Sequence, residues 1–240
     1  MYIFHRVIKN TPHYVRHKGK YIHNACGDLD PEELFSKCTI LKDSGTVSAG
    51  IYEKFFLKRY NKKKFWKRLK RALQYPRANR CLAGSILLRQ NGFLTPETYY
   101  ADRQYLVTET LEKFSPDLFL SAHPEMIHEF AATLRQLHDK GFFHGDLSLR
   151  NIYKSGKNSF GLIDLDSILF YPSRSGVPQK KRIKEIARVI SSAKLLSGMD
   201  DLDLLTDSFL AQYDPAQSTP IDRKKLMKEI LLYIRKTNRH

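Results

Sequence analysis

The segment from His144 to Asp164 constrains this chain more than any other part of the sequence. It begins with His-Gly-Asp, places Asn151 five residues after Asp146, and ends in a short apolar run followed by Asp164. Asp146 can accept a proton from a hydroxyl group, and Asn151 and Asp164 offer the hard oxygen ligands that Mg²⁺ prefers. Phosphoryl transfer requires mainly positioning and charge neutralisation. The pattern therefore predicts a kinase-type site for ATP and Mg²⁺, with Asp146 as the catalytic residue.

The histidines near this segment are expected to be structural. His144 precedes the Gly-Asp pair, where it can orient the loop, and His138 lies at the end of an amphipathic helix. Gly141 follows that helix and is a plausible C-cap. Asp166, two residues after Asp164, is expected to have a minor role.

The composition is that of a globular protein with an unusual charge. Hydrophobic residues make up 42% of the 240 residues, but 41 Lys and Arg stand against 25 Asp and Glu, a formal net charge of +16. Such a surplus indicates an anionic partner, which could be nucleic acid, an acidic membrane surface or a phosphorylated substrate.

The cysteines and the apolar segments indicate a reducing compartment. Cys26, Cys38 and Cys81 form no CxxC pair and are odd in number, so free thiols are expected. The first ten residues have no long apolar stretch, and no run of 18 apolar residues occurs. We therefore expect a cytoplasmic protein.

The order of the expected elements predicts two lobes. Residues 1–60 are expected to form strands and turns, and the pattern turns helical from residue 116 onward. The other expected elements are helices at 63–73, 78–90, 179–196, 202–213 and 221–236 and a hairpin at 97–108. This order predicts an α+β architecture with a β-rich N-terminal lobe at 1–109 and a mainly helical C-terminal lobe at 110–240, together forming one domain.

The N-terminal lobe offers two candidate contacts to a nucleotide. Lys58 lies on the apolar strand 55–60 and could pair with the phosphates, with Arg59 on the opposite face because side chains alternate; Lys54 is the alternative register. Tyr105–Glu109 resembles a hinge whose backbone contacts the adenine edge, with Glu109 at its end. The alternative is an edge strand that runs into a loop.

A strongly basic segment follows the lysine strand. Residues 54–80 contain twelve Lys or Arg and no acid, and in a helix at 62–73 an apolar stripe with Trp66 would be flanked by these charges. Such a helix favours contact with an anionic membrane leaflet, to which each basic residue contributes about 1 kcal/mol. Simple packing on the lobe and nucleic-acid binding are the alternatives, and we expect no nucleic-acid partner.

Three groups of residues match the pattern of a known family. They are Lys58-Arg59-Tyr60-Asn61, the His-Gly-Asp loop with Asn151, and Leu162-Ile163-Asp164-Leu165-Asp166. Further matches are Arg77-Ala78, Gly92-Phe93-Leu94-Thr95-Pro96, Leu106-Val107-Thr108-Glu109 and the helical segment from Arg182 to Arg188. Over roughly residues 38–196 the chain resembles the lipopolysaccharide kinase family (Kdo/WaaP, InaA-like), an offshoot of the protein-kinase-like fold.

The resemblance implies a specific substrate and location. It implies ATP-dependent phosphorylation of a sugar hydroxyl, on Kdo or heptose, in the inner core of lipopolysaccharide. The protein would be bacterial and peripheral on the inner face of the inner membrane, with lipopolysaccharide or another anionic glycolipid as its partner. Asp146 would be catalytic, and Asn151 and Asp164 would hold the metal ion. Lys58 and Glu109 would complete the nucleotide contacts.

The chain departs from the kinase pattern in the N-terminal lobe. Kinase-like folds usually carry a glutamate that pairs with the strand lysine, yet residues 54–96 contain no Asp or Glu. Asn79 occupies the position expected for that glutamate. Either a carboxylate from elsewhere, such as Glu97, replaces it, or the phosphates hold Lys58 directly. The loop 43–50 holds Gly45 and Gly50 but no full Gly-x-Gly-x-x-Gly pattern.

Two other functions stay open from the sequence. Ser148 stands where a protein kinase would have a lysine two residues after the aspartate, which suits kinases of small molecules, although a protein acceptor is also possible. The missing helix glutamate would suit a catalytically silent module that binds an anionic glycolipid.

Overall fold

The computed structural model of the chain forms two compact units, Met1–Lys113 and Phe114–His240, here called the N-terminal and C-terminal units. The structure describes residues 2–27, 29–61, 76–111, 119–155, 159–172, 176–197, 201–218 and 220–238. The basic helix predicted at 62–73 lies outside these residues. Among the described helices, none is long and apolar enough to cross a membrane.

The N-terminal unit is built on one antiparallel sheet of seven strands in the order β1-β2-β6-β7-β5-β4-β3. The strands are β1 (Tyr14–His17), β2 (Lys20–His23), β3 (Thr39–Asp43), β4 (Val47–Tyr52), β5 (Phe55–Tyr60), β6 (Thr98–Ala101) and β7 (Tyr105–Glu109). Strands β1 and β2 form a hairpin, and Lys18 and Gly19 both adopt positive φ at the turn between them. Two positive φ values in a two-residue loop match the twist of antiparallel strands.

Three helices accompany this sheet in the described residues: α1 (Tyr2–Lys9), α2 (Pro31–Ser36) and α3 (Arg77–Gln90). The expectation of strands and turns alone in residues 1–60 was wrong for α1 and α2. The start of α2 has a clear local cause, since the Asp30 side chain accepts hydrogen bonds from the backbone N–H groups of Glu32 and Glu33 and Pro31 follows the cap. Both features favour a helix start.

One face of the sheet carries the buried apolar cluster of this unit. The cluster joins α2 to the three central strands through the side chains of Phe35, Leu57, Tyr100, Tyr105 and Val107. The guanidinium of Arg59 lies over the ring of Phe35, 4.5 Å from its centroid, so Arg59 points to this face. Because side chains alternate along a strand, Lys58 points to the opposite face.

The C-terminal unit is mainly helical, as expected. Its described helices are α4 (Ile127–Asp139), α5 (Gln179–Ser197), α6 (Leu202–Tyr213) and α7 (Arg223–Thr237). Its short strands are β8 (Phe142–Phe143), β9 (Ile152–Lys154), β10 (Phe160–Leu162) and β11 (Leu169–Phe170), paired as β9 with β10 and β8 with β11. The pair of β8 and β11 was not expected, because two residues are too few for a periodic pattern.

The helices of this unit enclose an apolar core. On α4 the buried residues recur at helical spacing, and they include Ile127, Phe130, Leu134 and Leu137. The sequence pattern predicted Met126 in place of Ile127 on this face, but Met126 precedes the helix and is half-buried. Helix α4 packs against α6, and α5 packs against α7. The segment between α4 and α5 therefore lies on a helical scaffold, and it contains the three candidate site residues of this unit.

Candidate active site

The His-Gly-Asp loop begins after α4, at a turn that requires glycine. Gly141 has φ +87° and Gly145 has φ +85°, a backbone region that other residues rarely adopt. A Cβ atom on Gly145 would lie 2.6 Å from the backbone oxygen of Ser167. The glycine before Asp146 thus allows the loop to pass close to the segment that follows Asp164.

Hydrogen bonds connect the segments that carry the three candidate residues. The His144 ring, 3% exposed, bonds through Nε2 to the Ile163 carbonyl at 2.8 Å. The Ile163 N–H donates to the Asn151 carbonyl at 3.0 Å. The Asn151 side chain donates through Nδ2 to the Asp146 carbonyl at 2.9 Å. The structure therefore ties Asp146, Asn151 and the residue before Asp164 together, and His144 has the orienting role expected of it.

Asp164 itself adopts the left-handed conformation, with φ +59° and ψ +53°. This conformation is uncommon for residues other than glycine and occurs often at functional sites. Asp164 is half-buried and directly follows the strand β10 and Ile163. Its placement at the end of an apolar strand agrees with the pattern expected from the sequence.

A buried carboxylate on α5 anchors the loop. Glu185 is 1% exposed and accepts hydrogen bonds from the backbone N–H of Gly145 at 2.8 Å and of His144 at 3.2 Å. It also bonds to Nε2 of His138 at 3.0 Å. A buried carboxylate needs such donors to offset its lost hydration, so the loop and Glu185 depend on each other.

The hydrogen-bond chain continues from Glu185 into α6. Since a carboxylate only accepts, His138 donates from Nε2, and its Nδ1 accepts from the Tyr213 hydroxyl at 2.7 Å. Burial lowers the pKa of His138, and the smaller effect of the Glu185 carboxylate opposes it. Burial also raises the pKa of Tyr213 to about 12. The imidazole is therefore held neutral, and His138 is the core histidine that was expected.

Two arginines on α5 complete the surroundings of the loop. Arg182 is 3% exposed and donates to Asp139 at 2.7 Å and to the Val177 carbonyl at 2.8 Å. Arg188 contacts Asp146 itself, with 2.6 Å between Nη1 and Oδ1. Arg150, which lies in the same loop and could neutralise charge on the phosphates, is exposed.

In the N-terminal unit, Lys58 lies on a central strand of the sheet. It stands opposite Ala49 of β4 and Leu106 of β7 and is half-buried. Lys54 instead lies in the turn between β4 and β5, exposed, with its ammonium 5.4 Å from the centroid of the Phe55 ring. Lys58 therefore lies within the sheet, whereas Lys54, the alternative, lies in a turn.

The segment proposed as a hinge is strand β7. It lies between β6 and β5, so the alternative of an edge strand is wrong. Tyr105, Leu106, Val107 and Thr108 are buried and Glu109 is half-buried. The Glu109 N–H donates to the Glu97 carbonyl at 2.8 Å, which fixes the end of the strand.

The residues considered as partners of the strand lysine have other surroundings. Glu97 forms ion pairs with Arg89 at 3.4 Å and His23 at 3.6 Å. Asn79, on α3, is 7% exposed, and its Oδ1 has no hydrogen-bond partner among the described residues. The segment 43–50, expected as a loop or turn, contains the turn between β3 and β4 and the first residues of β4. The Ser44 hydroxyl donates to the Val47 carbonyl at 2.8 Å and fixes this turn.

Comparisons with known proteins decide the family. A family model described as the lipopolysaccharide kinase (Kdo/WaaP) family matches residues 42–188, more than half of the chain. The chain belongs to this family. Members of the Kdo/WaaP family are kinases, so the chain is assigned to a family of phosphotransferases that use ATP. No curated protein matches the chain in the corresponding search.

A solved structure shows the same fold. The structure described as "WaaP in complex with acyl carrier protein" is 18% identical to this chain, with a TM-score of 0.51, and the match covers 86% of this chain and 92% of that one. The kinase-like α+β fold expected from the sequence is thereby confirmed.

The donor set fits the divalent ion that a Kdo/WaaP kinase implies. A backbone carbonyl only accepts, so the Asn151 amide nitrogen must face Asp146, and its Oδ1 is left as a hard oxygen donor. Asp164 supplies a carboxylate. Among the described residues no group of three or more His, Cys, Asp and Glu could hold a metal, but Mg²⁺ bound to phosphates typically takes only one or two protein carboxylates and keeps several waters.

Three residues of this site were not identified from the sequence, namely Glu185, Arg188 and Tyr213. One signal was available for Glu185, because it is the only acidic residue between Asp166 and Asp200 and lies in a basic helix. A single acidic residue on the apolar face of a helix indicates that its carboxylate is buried and hydrogen-bonded to a buried partner. Arg188 was marked only as the end of a segment that matches the family pattern, and nothing comparable marks Tyr213.

Proposed function

We propose that this Kdo/WaaP family member transfers the γ-phosphoryl group of ATP to a hydroxyl of Kdo or heptose in the inner core of lipopolysaccharide. The observation that supports this most is the hydrogen-bonded connection of Asp146, Asn151 and Ile163 in a chain of this family. Asp146, Asn151 and Asp164 lie on segments that are hydrogen-bonded to one another. Two carboxylates and one carboxamide are the side chains that phosphoryl transfer needs to bind the metal ion and accept a proton.

Each residue has a defined task in this proposal. Asp146 accepts the proton of the sugar hydroxyl as its oxygen attacks the γ-phosphorus, and the bond to the β-phosphate oxygen breaks to release ADP. Lys58 binds the phosphates of ATP, and the strand end at Glu109 contacts the adenine through its backbone. Asn151 and Asp164 would hold Mg²⁺, which neutralises charge on the phosphates.

The positive net charge of the chain supports a location at an anionic surface. The formal net charge of +16 suits a substrate that carries carboxylates and phosphates on an anionic surface. We propose a peripheral protein on the cytoplasmic face of the inner membrane, with residues 62–73 as the contact. The structure of WaaP with acyl carrier protein adds an acyl carrier protein as a candidate partner.

The direct test is ADP release by the purified protein with Mg·ATP and a panel of acceptors. The panel contains lipopolysaccharide core, an aminoglycoside-like small molecule and a serine peptide. We expect release to depend on lipopolysaccharide core. If ADP release depends on one of the other acceptors instead, that acceptor is the substrate and the proposal is wrong. Of those two, the small molecule is favoured over the peptide, because position 148 holds serine and not the lysine of protein kinases.

A catalytically silent glycolipid-binding module is the second candidate, because Asn79 stands where kinases carry a glutamate. Thermal unfolding with and without Mg·ATP separates the two functions. A kinase is expected to gain several degrees in melting temperature at saturating nucleotide, since ligand binding to the folded state stabilises it. A silent module would show no nucleotide response.

A further inference from the structure

Helix α5 holds the His-Gly-Asp loop at two positions one helical turn apart. Glu185 accepts from the backbone N–H groups of His144 and Gly145, and Arg188 donates to the backbone carbonyl of Gly145. Residues at i and i+3 lie on one helix face. The helix therefore binds both the donors and the acceptor of the same short stretch of backbone.

Arg188 differs from Glu185 because it also contacts the reacting side chain. Its Nη1 donates to the Gly145 carbonyl and, at 2.6 Å, to Oδ1 of Asp146. These two bonds account for both hydrogens of Nη1. The Nη1 atom of Arg188 thus holds the Asp146 carboxylate in a fixed position relative to the backbone of the same loop.

Helix α7 fixes Arg188 in turn. The Arg188 Nε donates to the Tyr233 hydroxyl at 2.8 Å, and the guanidinium lies 5.2 Å from the centroid of the Tyr233 ring. The Arg188 side chain is 29% exposed, whereas that of Asp146 is 64% exposed. The arginine is the more constrained partner, so it is the one that orders the other.

An exposed aspartate on a loop would otherwise exchange between rotamers. Because Arg188 binds Oδ1, the other carboxylate oxygen, Oδ2, is placed to accept the proton of the acceptor hydroxyl. Charge-assisted bonds to a planar guanidinium restrict geometry more than bonds to a lysine ammonium do. Holding the carboxylate in place should raise the rate of phosphoryl transfer, because misplacement of a reacting group by about 1 Å can lower a rate about 10²-fold.

We propose that Arg188 is a positioning residue that holds Asp146 in the orientation needed to activate the acceptor hydroxyl, and that Tyr233 holds Arg188. The proposal rests on the proposed function, since it assigns a means by which Asp146 performs its step. In this arrangement the positive charge beside Asp146 comes from α5, 42 residues farther along the chain. In protein kinases it comes from a lysine two residues after the aspartate.

The test compares Arg188→Ala with wild type in acceptor phosphorylation, together with the affinity for Mg·ATP. We expect kcat to fall about 10²-fold, with the Kd of Mg·ATP unchanged within about twofold, because Arg188 bonds to Gly145, Asp146 and Tyr233, none of which is assigned a contact with the nucleotide or the metal ion. Millimolar guanidinium should restore part of the rate, and urea, which has the same shape without the charge, should not.

Matched variants separate positioning from folding. Arg235→Ala removes one exposed arginine from α7 and should leave the rate unchanged. Tyr233→Phe removes only the hydroxyl and should lower kcat less than Arg188→Ala does. Asp146→Ala should gain nothing from guanidinium.

Two outcomes would overturn the proposal while the wild type remains active. The first is an Arg188→Ala protein with wild-type kcat, and the second is one whose lost rate guanidinium does not restore although its melting temperature is normal. A wild type that transfers phosphate to no acceptor would instead contradict the proposed function itself.

Discussion

The two units hold their candidate side chains by different means. In the C-terminal unit, the loop of Asp146 is bound by Glu185 and Arg188, side chains on a helix about 40 residues farther along the chain. In the N-terminal unit, Lys58 is placed by backbone pairing of β5 with β4 and β7. The position of Asp146 depends on polar contacts between residues that are distant in sequence. The position of Lys58 depends on the register of neighbouring strands.

This difference determines what a substitution should do. A change to Glu185, the buried anchor of the C-terminal unit, should reduce stability and activity together, because it leaves unpaired groups inside the protein. Changes to Lys58 should affect nucleotide binding more than stability, because backbone pairing with β4 and β7 holds the strand. The following predictions test this contrast.

The largest expected effect is on Asp146. Asp146→Asn keeps the size of the side chain but removes the proton acceptor, so phosphate transfer should fall by about 10³-fold. Because the side chain is 64% exposed, thermal unfolding should be unchanged. The rate is measured as ADP release, with Glu125→Gln, an exposed carboxylate, as the control. Full activity in Asp146→Asn would remove the role assigned to it.

The second effect contrasts two carboxylates, Glu185 and Glu97. Glu185→Ala leaves the N–H groups of His144, Gly145 and His138 without an acceptor, and the free energy of unfolding should fall by about 3 kcal/mol. Glu97 is 33% exposed and paired with His23 and Arg89, so Glu97→Ala should cost under about 1 kcal/mol. Urea unfolding measures both values, and equal costs would contradict the contrast.

The third effect compares the two lysines of the N-terminal unit. Lys58→Met should raise the KM for ATP at least about tenfold, since a hydrogen bond to a charged group contributes about 1.5–3 kcal/mol. Lys54→Met, in the exposed turn, should leave that KM unchanged. Steady-state kinetics provide the comparison. A larger effect from Lys54 would mean that the register was assigned wrongly.

The smallest effect is on pH dependence. The ordinary pKa of His138 is 6.5, and burial lowers it in the folded state. Below pH 6.5 the unfolded chain therefore binds a proton that the folded chain does not, and the free energy of unfolding should fall with decreasing pH by up to about 1.4 kcal/mol per unit. Above pH 6.5 this group contributes no pH dependence.

His138→Gln provides the comparison for this slope. The variant should be less stable at pH 7 but lose less stability between pH 7 and 5, as measured by urea unfolding. Some slope should persist, because burial also lowers the pKa of His128. An unaltered slope would show that His138 takes up a proton equally in both states.

The sequence was most informative where structure depends on neighbours along the chain. Alternation on β5 correctly separated Lys58 from Arg59, and the spacing of Asp146, Asn151 and Asp164 predicted segments that the structure ties together. Helix periodicity also located α5, α6 and α7 to within a few residues. These features arise from backbone geometry, which leaves a regular pattern in the sequence.

The sequence was least informative where a contact joins distant elements. Glu185, Arg188 and Tyr213 come from α5 and α6, and their partners are set by helix packing, which no local pattern records. The short helices α1 and α2 were missed for a different reason, since six or eight residues show too few turns for a period, although Asp30 and Pro31 gave a usable cap signal for α2.

The most direct test of the account is mass spectrometry of lipopolysaccharide from cells that contain the wild-type protein, the Asp146→Asn variant or neither. We expect one inner-core sugar to carry an additional phosphoryl group, about 80 Da, only with the wild type. An identical lipopolysaccharide mass in all three strains would contradict the claim that this chain phosphorylates the core through Asp146.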